Sequence, residues 1–452
     1  MLDVILAEFD GDRSARRIAG VIGRLITSGQ LPVGARLPTV RELSRRLGVS
    51  PTTVSEAWRS LADVGAIDAR GRNGTSVRPP IGPGGPRRYR RITEGPGHFQ
   101  LDLSSGTPDP ALLPDLGPAF ARVAQQSLTS SYLDHPVLPE LEDELIGSWP
   151  FAPEAITVVD GAMDALDRVA REVLHLGDRV VVEHPSFPPL LDLLEQLGCE
   201  VVGVDVDDAG LDVGQVRATL DAAPVAAVFV QPRAQNPTGS ALTTARAADL
   251  ATLLSGTTTL VVEDDHANDI SGSALVSLGS WLPERTVHIR SFSKSHGPDL
   301  RLAAIGGAGD VVAAVANRRL LGPGWSSRLL QALLLALLRD GETDAVMDHA
   351  RAEYARRRGL VAGVLDAAGV RCTGSDGINL WVEVADERSA AVALAARGIG
   401  VAPGTPFLVR PDADHVRITV GLVRGDDRRV EDVAAELAAA AHRAPVRSTH
   451  HR

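Results

Sequence analysis

The hydrophobic positions change their period along the chain. ARRIAGVIGRLITSG, residues 15–29, sets Ile18, Val21, Ile22, Leu25 and Ile26 at helical spacing, with Gly29 as a C-cap. In LPTVRELSRRLGVSPTTVSEAWRSLADVGAI, Thr39 and Glu42 form a capping box that opens a short helix. Val40, Leu43 and Leu47 are its apolar stripe, and Gly48 allows a tight turn. Ser50 and Pro51 then fit the N-cap and first position of a second helix. Val54, Ala57, Trp58, Leu61 and Val64 share one face of it, and Gly65 ends it. AIDAR-GRNG-TSVR follows as a hairpin with a Gly-rich tip.

Past residue 99 the period shortens. AITVVD, RVVVEHP, CEVVGVDV, AAVFVQP, TTLVVEDD, TVHIRSFS and RLAAIGGA read as strands, several separated by helical stretches such as AMDALDRVAREVLHLG. That alternation predicts a wound α/β sheet, largely parallel, whose ligands sit at the C-terminal strand ends. Between the two patterns, RPPIGPGGPRRYRRITEGPG is rich in Pro and Gly and predicts a linker without regular helix, its Arg87, Arg88, Arg90 and Arg91 either on phosphates or solvated. The domains expected are 1–78, a linker 79–98, a body 99–440 and a disordered tail 441–452.

Charge sharpens the division. The net charge is -11, yet residues 1–98 hold sixteen Arg against nine Asp and Glu, a net +7 that leaves -18 for the rest. A basic head of two helices, a tight turn and a hairpin is a winged helix-turn-helix pattern, whose second helix enters the major groove of double-stranded DNA. The two cysteines, Cys199 and Cys372, lie far apart and match neither a metal-ligand spacing nor a disulfide framework, as in a reducing cytoplasm. No apolar run approaches membrane-spanning length, and the N-terminus does not read as a signal peptide.

One residue type is nearly missing. Among 46 basic residues only Lys294, in SFSKSHGPDLR, is lysine. A guanidinium stays protonated, whereas a buried lysine amine can lose its proton and condense with an aldehyde. The neighbouring strand ends carry what a pyridoxal phosphate site needs. Asp264 or Asp265 in VVEDDH can face a pyridine nitrogen. The helix start after Gly161 offers N–H groups to a phosphate, and Ser291 and Arg301 flank the lysine with a hydroxyl and a guanidinium. Phe187 in EHPSFP supplies a flat surface, and Asn236 in AQNPTG a polar group for the ring hydroxyl.

The segment GARLPTVRELSRRLGVSPTTVSEAWRSLADVGAI resembles the DNA-binding domain of the GntR regulators. That resemblance implies DNA contacts by Arg41, Thr52, Thr53, Ser55 and the wing residues Arg72 and Gly74. The ordered set Gly161, Phe187, Asn236, Asp264 and Lys294 resembles class I aminotransferases of fold type I, over residues 99–440. Head and body together resemble the MocR subfamily of transcription regulators. The resemblance implies pyridoxal 5'-phosphate on Lys294, with Asp264 on its ring nitrogen, Phe187 stacked on the ring and Asn236 on the ring hydroxyl. Gly161, Ala162, Met163, Ser291 and Arg301 would surround the phosphate. Tyr132 would reach the site of the other subunit in a homodimer, and Arg417 would bind an amino-acid carboxylate. His266 stands where the family has Tyr, Ala162-Met163 where a polar pair is common, Asp299 where Gly is favoured, and Pro51 where some relatives have a basic residue. The function expected is a regulator that reads operator DNA and senses the cofactor, or an amine or amino acid, through imine chemistry at Lys294. The alternative is a metabolic aminotransferase with an accessory DNA-binding head, and a third class is a cofactor-free DNA-binding protein.

Overall fold

The computed structural model describes residues 2–9, 13–27, 30–63, 67–69, 74–77, 87–93, 99–125, 131 and 134–443. In the head, Ala15–Thr27, Val40–Leu47 and Pro51–Asp63 are helices that bury Ile18, Val21, Ile22, Leu43, Leu47, Val54 and Leu61 against one another. The polar punctuation acts as its chemistry requires. Thr39 Oγ1 accepts from Glu42 N at 3.2 Å, and Gly48 takes the left-handed conformation at φ 69°. Ser50 Oγ accepts from Thr53 N at 3.1 Å, capping the second helix of the motif. Ile67–Ala69 pairs antiparallel with Thr75–Val77, which makes the wing.

The linker departs from expectation. Arg87–Thr93 is a helix, seated on the body. Its backbone at Arg88 donates to buried Asp192, the Arg88 guanidinium reaches Glu195 and the Leu408 carbonyl, and Ile92 is buried with Trp381 and Phe407. Arg88 is therefore neither solvated nor available to a phosphate in this conformation. The head also touches the body at Leu176, whose side chain lies against Gly23.

The body carries an eight-stranded sheet. Its spatial order is Ala155–Val159, Ala303–Gly307, Thr286–Ser291, Leu260–Asp265, Ala227–Val230, Arg179–His184, Glu200–Asp207 and Gly210–Leu211. All seven strands expected from the sequence are in it. The five from Thr286–Ser291 to Glu200–Asp207 run parallel, and Ala303–Gly307 is antiparallel to both of its neighbours. Helices Ala162–Val173 and Pro188–Gln196 cover one face. A smaller C-terminal unit folds Leu380–Glu383 and His415–Ile418 into a four-stranded sheet packed on Gly341–Ala367 and Asp427–Ala441. The tail from residue 444 lies outside the described residues. Cys199 and Cys372 are free thiols. Among the described residues no helix is long and apolar enough to cross a membrane.

Candidate functional site

The parallel strands deliver their C-terminal ends to one place. A cavity of about 180 Å³ there is lined by Ala162, Met163, Phe187, Asn236, Asp264, His266, Ser291, Lys294 and Arg301, with Gln231, Ser293 and the Gly106–Pro108 loop. The residues expected around a cofactor thus converge from five separate stretches of sequence, except Gly161, which directly precedes the lining residue Ala162, and Tyr132, which lies outside the described residues.

Lys294 is half-buried, and desolvation lowers its ammonium pKa to about 8 while nearby Asp264 pulls the other way and Arg417 pushes it down further. Its Nζ lies 2.5 Å from His266 Nδ1. Burial, then the Lys294 charge, holds the His266 imidazole well below its ordinary pKa, so it is neutral. A neutral ring nitrogen that accepts from the ammonium is the consistent arrangement for this pair.

Of the two adjacent aspartates only one is available to a ligand. Successive side chains of a strand face opposite ways. Burial alone would raise the Asp265 pKa, but the Arg233 guanidinium 2.5 Å away outweighs it and holds the carboxylate ionised. Asp265 also accepts from Asn268 N. Asp264 faces the cavity. Its Oδ2 accepts from Gln231 Nε2 at 2.8 Å, while Oδ1 is buried with no protein partner. Burial raises its pKa to about 6. Asn236 Oδ1 and His266 Nε2 are likewise buried without a partner. Orphaned polar atoms are costly, and three beside one cavity mark a place where a polar ligand completes the bonding.

At the other end of the cavity, Gly161 at φ 102° precedes helix Ala162–Val173, whose first N–H groups have no side-chain cap. A Cβ on Gly161 would come within 2.8 Å of Arg301 Nη2, so the glycine lets the guanidinium close on the helix start. Arg301 itself donates to the Asp160 carbonyl at 3.0 Å. With Ser291 this is an anion cradle of backbone donors and one cation.

A second cavity of about 370 Å³ opens from Lys294 toward Arg417, along Ser104–Thr107, Phe187 and Phe407. Arg417 is buried rather than a strand-edge surface residue. It donates to Asn379 Oδ1 at 3.1 Å and Thr419 Oγ1 at 3.2 Å, contacts the Ser104 carbonyl, and lies 5.5 Å above the Phe407 ring. Three participants escaped the sequence reading. Gln231 directly follows strand Ala227–Val230 and ties Asp264 to Asn236 N. Glu183, wholly buried and raised to about 8 by burial, holds Gln231 N and Gln235. Ile92 reaches the second cavity from the linker. The first two sit at strand ends, the position that had singled out Asn236 and Asp264.

In the head, Arg41 and Thr52 are exposed, Thr53 and Ser55 half-buried near the start of Pro51–Asp63, and Gly74 turns the wing at φ 84°. Arg72 lies outside the described residues. Among the described residues no cluster of three His, Cys, Asp or Glu is placed to hold a metal.

Residues 99–436 match the family of class I and II aminotransferases, and residues 14–77 match the gntR family of bacterial regulatory proteins. The chain is 35% identical over 445 residues to the vitamin B6 salvage pathway transcriptional repressor PtsJ of Salmonella typhimurium, covering 95% of this chain and 99% of that one. It is 30% identical over 287 residues to the pyridoxine biosynthesis regulator PdxR of Corynebacterium glutamicum, covering 60% and 61%. An archaeal alanine:glyoxylate aminotransferase structure superposes with a TM-score of 0.69 at 25% identity, covering 78% of this chain and 93% of that one.

Proposed function

The chain belongs to the aminotransferase class I and II family and carries a gntR-family head, and from that premise we propose a pyridoxal 5'-phosphate-dependent transcription regulator of the MocR type. The head binds double-stranded operator DNA. The body senses the cofactor, or an amine or amino acid that engages it. The protein works in the cytoplasm as a homodimer.

The observation that carries the reading is the convergence of Lys294 Nζ, the bare Asp264 Oδ1 and the anion cradle on one cavity, in a chain whose first domain is a winged helix-turn-helix. The donor set fits the cofactor. Asp264 would hold its ring nitrogen, Asn236 and His266 its ring oxygen, Phe187 its ring face, and Ser291, Arg301 and the N–H groups after Gly161 its phosphate, with Ala162 and Met163 adding backbone donors only. When bound, the cofactor supplies an aldehyde that bonds to a primary amine, and Lys294 is the only lysine that can offer one. The neutral His266 ring accepts a hydrogen bond from that amine at Nδ1 and orients it. Arg417 orients the carboxylate of an incoming amino acid, and Phe407 beneath it keeps water from its face.

A metabolic aminotransferase is the weaker reading. The relative that matches along 95% of the chain is named as a transcriptional repressor, whereas the aminotransferase structure covers 78% of it. The similarity to a vitamin B6 salvage repressor and a pyridoxine biosynthesis regulator favours the cofactor itself as a signal.

The test is operator affinity of the purified chain with and without pyridoxal 5'-phosphate, alongside its visible spectrum. A lysine-bound absorption band and a ligand-dependent change in affinity are expected. Steady transamination with DNA binding indifferent to the cofactor would overturn the regulator reading.

A further inference from the structure

We propose that the linker helix Arg87–Thr93 forms a wall of the effector pocket and transmits its occupancy to the DNA-binding head. This rests on the regulator reading above and assigns how its signal leaves the body.

The helix has seven residues, too few to persist alone in water. It exists because it is seated. Arg88 N donates to both carboxylate oxygens of Asp192, at 3.2 and 3.0 Å. The Arg88 guanidinium donates to the Leu408 carbonyl at 2.7 Å and to Glu195 Oε1 at 2.5 Å. Ile92, only 8% exposed, packs with Trp381, Ala402 and Phe407. An element held only by tertiary contacts has two states, docked helix or released chain.

The seat is shared with the pocket. Ile92 lines the same 370 Å³ cavity as Lys294 and Arg417. Phe407 packs with Ile92 on one side and lies under the Arg417 guanidinium on the other. A ligand with its amine at Lys294 and its carboxylate at Arg417 has Ile92, Phe99, Phe187 and Phe407 on the wall toward the linker helix, with Asp102, Ser105 and Thr107 on the rest of it. The matching class is an α-amino acid with an apolar side chain. By pressing on Ile92 and Phe407 it unseats the helix, which gives the differential interaction with two states that any switch requires. The message has a short way to travel. Only residues 78–86 separate Arg87 from Val77, the last residue of the wing strand.

The experiment uses the full-length protein loaded with pyridoxal 5'-phosphate and a DNA duplex selected by the wild-type chain. Arg88→Ala removes the guanidinium bonds to Leu408 and Glu195 and so loosens the seat, without touching Lys294 or Arg417. Expected are an unchanged cofactor spectrum, hydrogen exchange in residues 87–93 at least tenfold faster, and duplex affinity altered at least fivefold with no amine added. Ile92→Trp overfills the seat and should shift the affinity in the same direction. If it fails to fold, Arg88→Ala decides alone. L-Leucine is the ligand probe on wild-type protein, expected to alter the cofactor spectrum and to speed exchange in 87–93. Faster exchange in Arg88→Ala with duplex affinity within twofold of wild type overturns the coupling. So does a leucine-induced spectral change that leaves exchange in 87–93 unmoved. Loss of cofactor binding or DNA binding by the wild-type chain instead sinks the regulator reading itself.

Discussion

Gln231 Nε2 donates to Asp264 Oδ2 at 2.8 Å, and this bond aims the other carboxylate oxygen, Oδ1, bare into the cavity beside Lys294. The pairing exists because strand Ala227–Val230 runs parallel to Leu260–Asp265, so the residue after one strand meets the end of the other. A hydrogen bond to a carboxylate contributes about 1.5–3 kcal/mol. Without it the buried Asp264 carboxyl, already raised to about 6, moves higher and holds a protonated pyridine less well.

Gln231→Leu is accordingly expected to weaken pyridoxal 5'-phosphate roughly ten- to a hundredfold, the range those energies imply. Equilibrium titration of cofactor absorbance reads it. An affinity within twofold of wild type would remove Asp264 from the ring nitrogen.

Lys294, lowered to about 8, sets a pH dependence. Only the neutral amine attacks an aldehyde. The attachment rate should rise about tenfold per pH unit well below 8 and level above it, whereas a model lysine with a pKa near ~10.4 keeps rising. Stopped-flow mixing of cofactor-free protein with pyridoxal 5'-phosphate between about pH 6 and pH 9, beside N-acetyl-lysine, makes the comparison. Parallel profiles for protein and model amine would refute it.

Gly161→Ala tests the anion cradle. At φ 102° a side chain is strained by about 1–3 kcal/mol, and its Cβ would press on Arg301 Nη2. The variant should lose phosphate-dependent affinity, so that pyridoxal 5'-phosphate falls toward unphosphorylated pyridoxal in binding strength. Undiminished preference for the phosphorylated form would place the phosphate elsewhere.

The strands and the head were legible because their periods are local. Leu43 and Leu47 declare a buried face within a few residues, and the short apolar-rich run of Arg179–His184 declares a buried strand. The linker helix was illegible for the opposite reason. RRYRRIT offers a lone aliphatic residue, Ile92, and Arg88 finds its partners 104 and 320 residues away, at Asp192 and Leu408. The choice between Asp264 and Asp265 also escaped local reading, because it depends on Arg233 arriving from another strand end. Lys294 was legible through rarity, and Gln231 was not, since glutamine carries no charge or reactivity to draw notice.

In the head, Arg41 is exposed on Val40–Leu47 and Thr52 is exposed at the start of Pro51–Asp63. Arg41→Ala should weaken operator binding and lower the salt slope by about 1, the share of one phosphate contact. Thr52→Ala should weaken binding at constant slope. Both should keep the cofactor spectrum. Titration at several salt concentrations separates them, and unchanged affinity in both would move the DNA contact off this face.

Lys294→Arg is the sharpest test, because it substitutes the residue this chain uses at every other basic position. The charge stays, and a buried guanidinium still faces Asp264, so the fold should survive, as near-ultraviolet circular dichroism would report. What disappears is an amine able to bond the aldehyde. The visible band of lysine-bound cofactor should vanish, while cofactor held by Asp264, Ser291 and Arg301 remains as a weaker, freely dialysable complex. Basal operator binding by the head should persist, since Lys294 lies in the body cavity and not in the helix-turn-helix. The response of operator affinity to pyridoxal 5'-phosphate should shrink toward none. Persistence of the band would be decisive against the site, for no second lysine exists to form it.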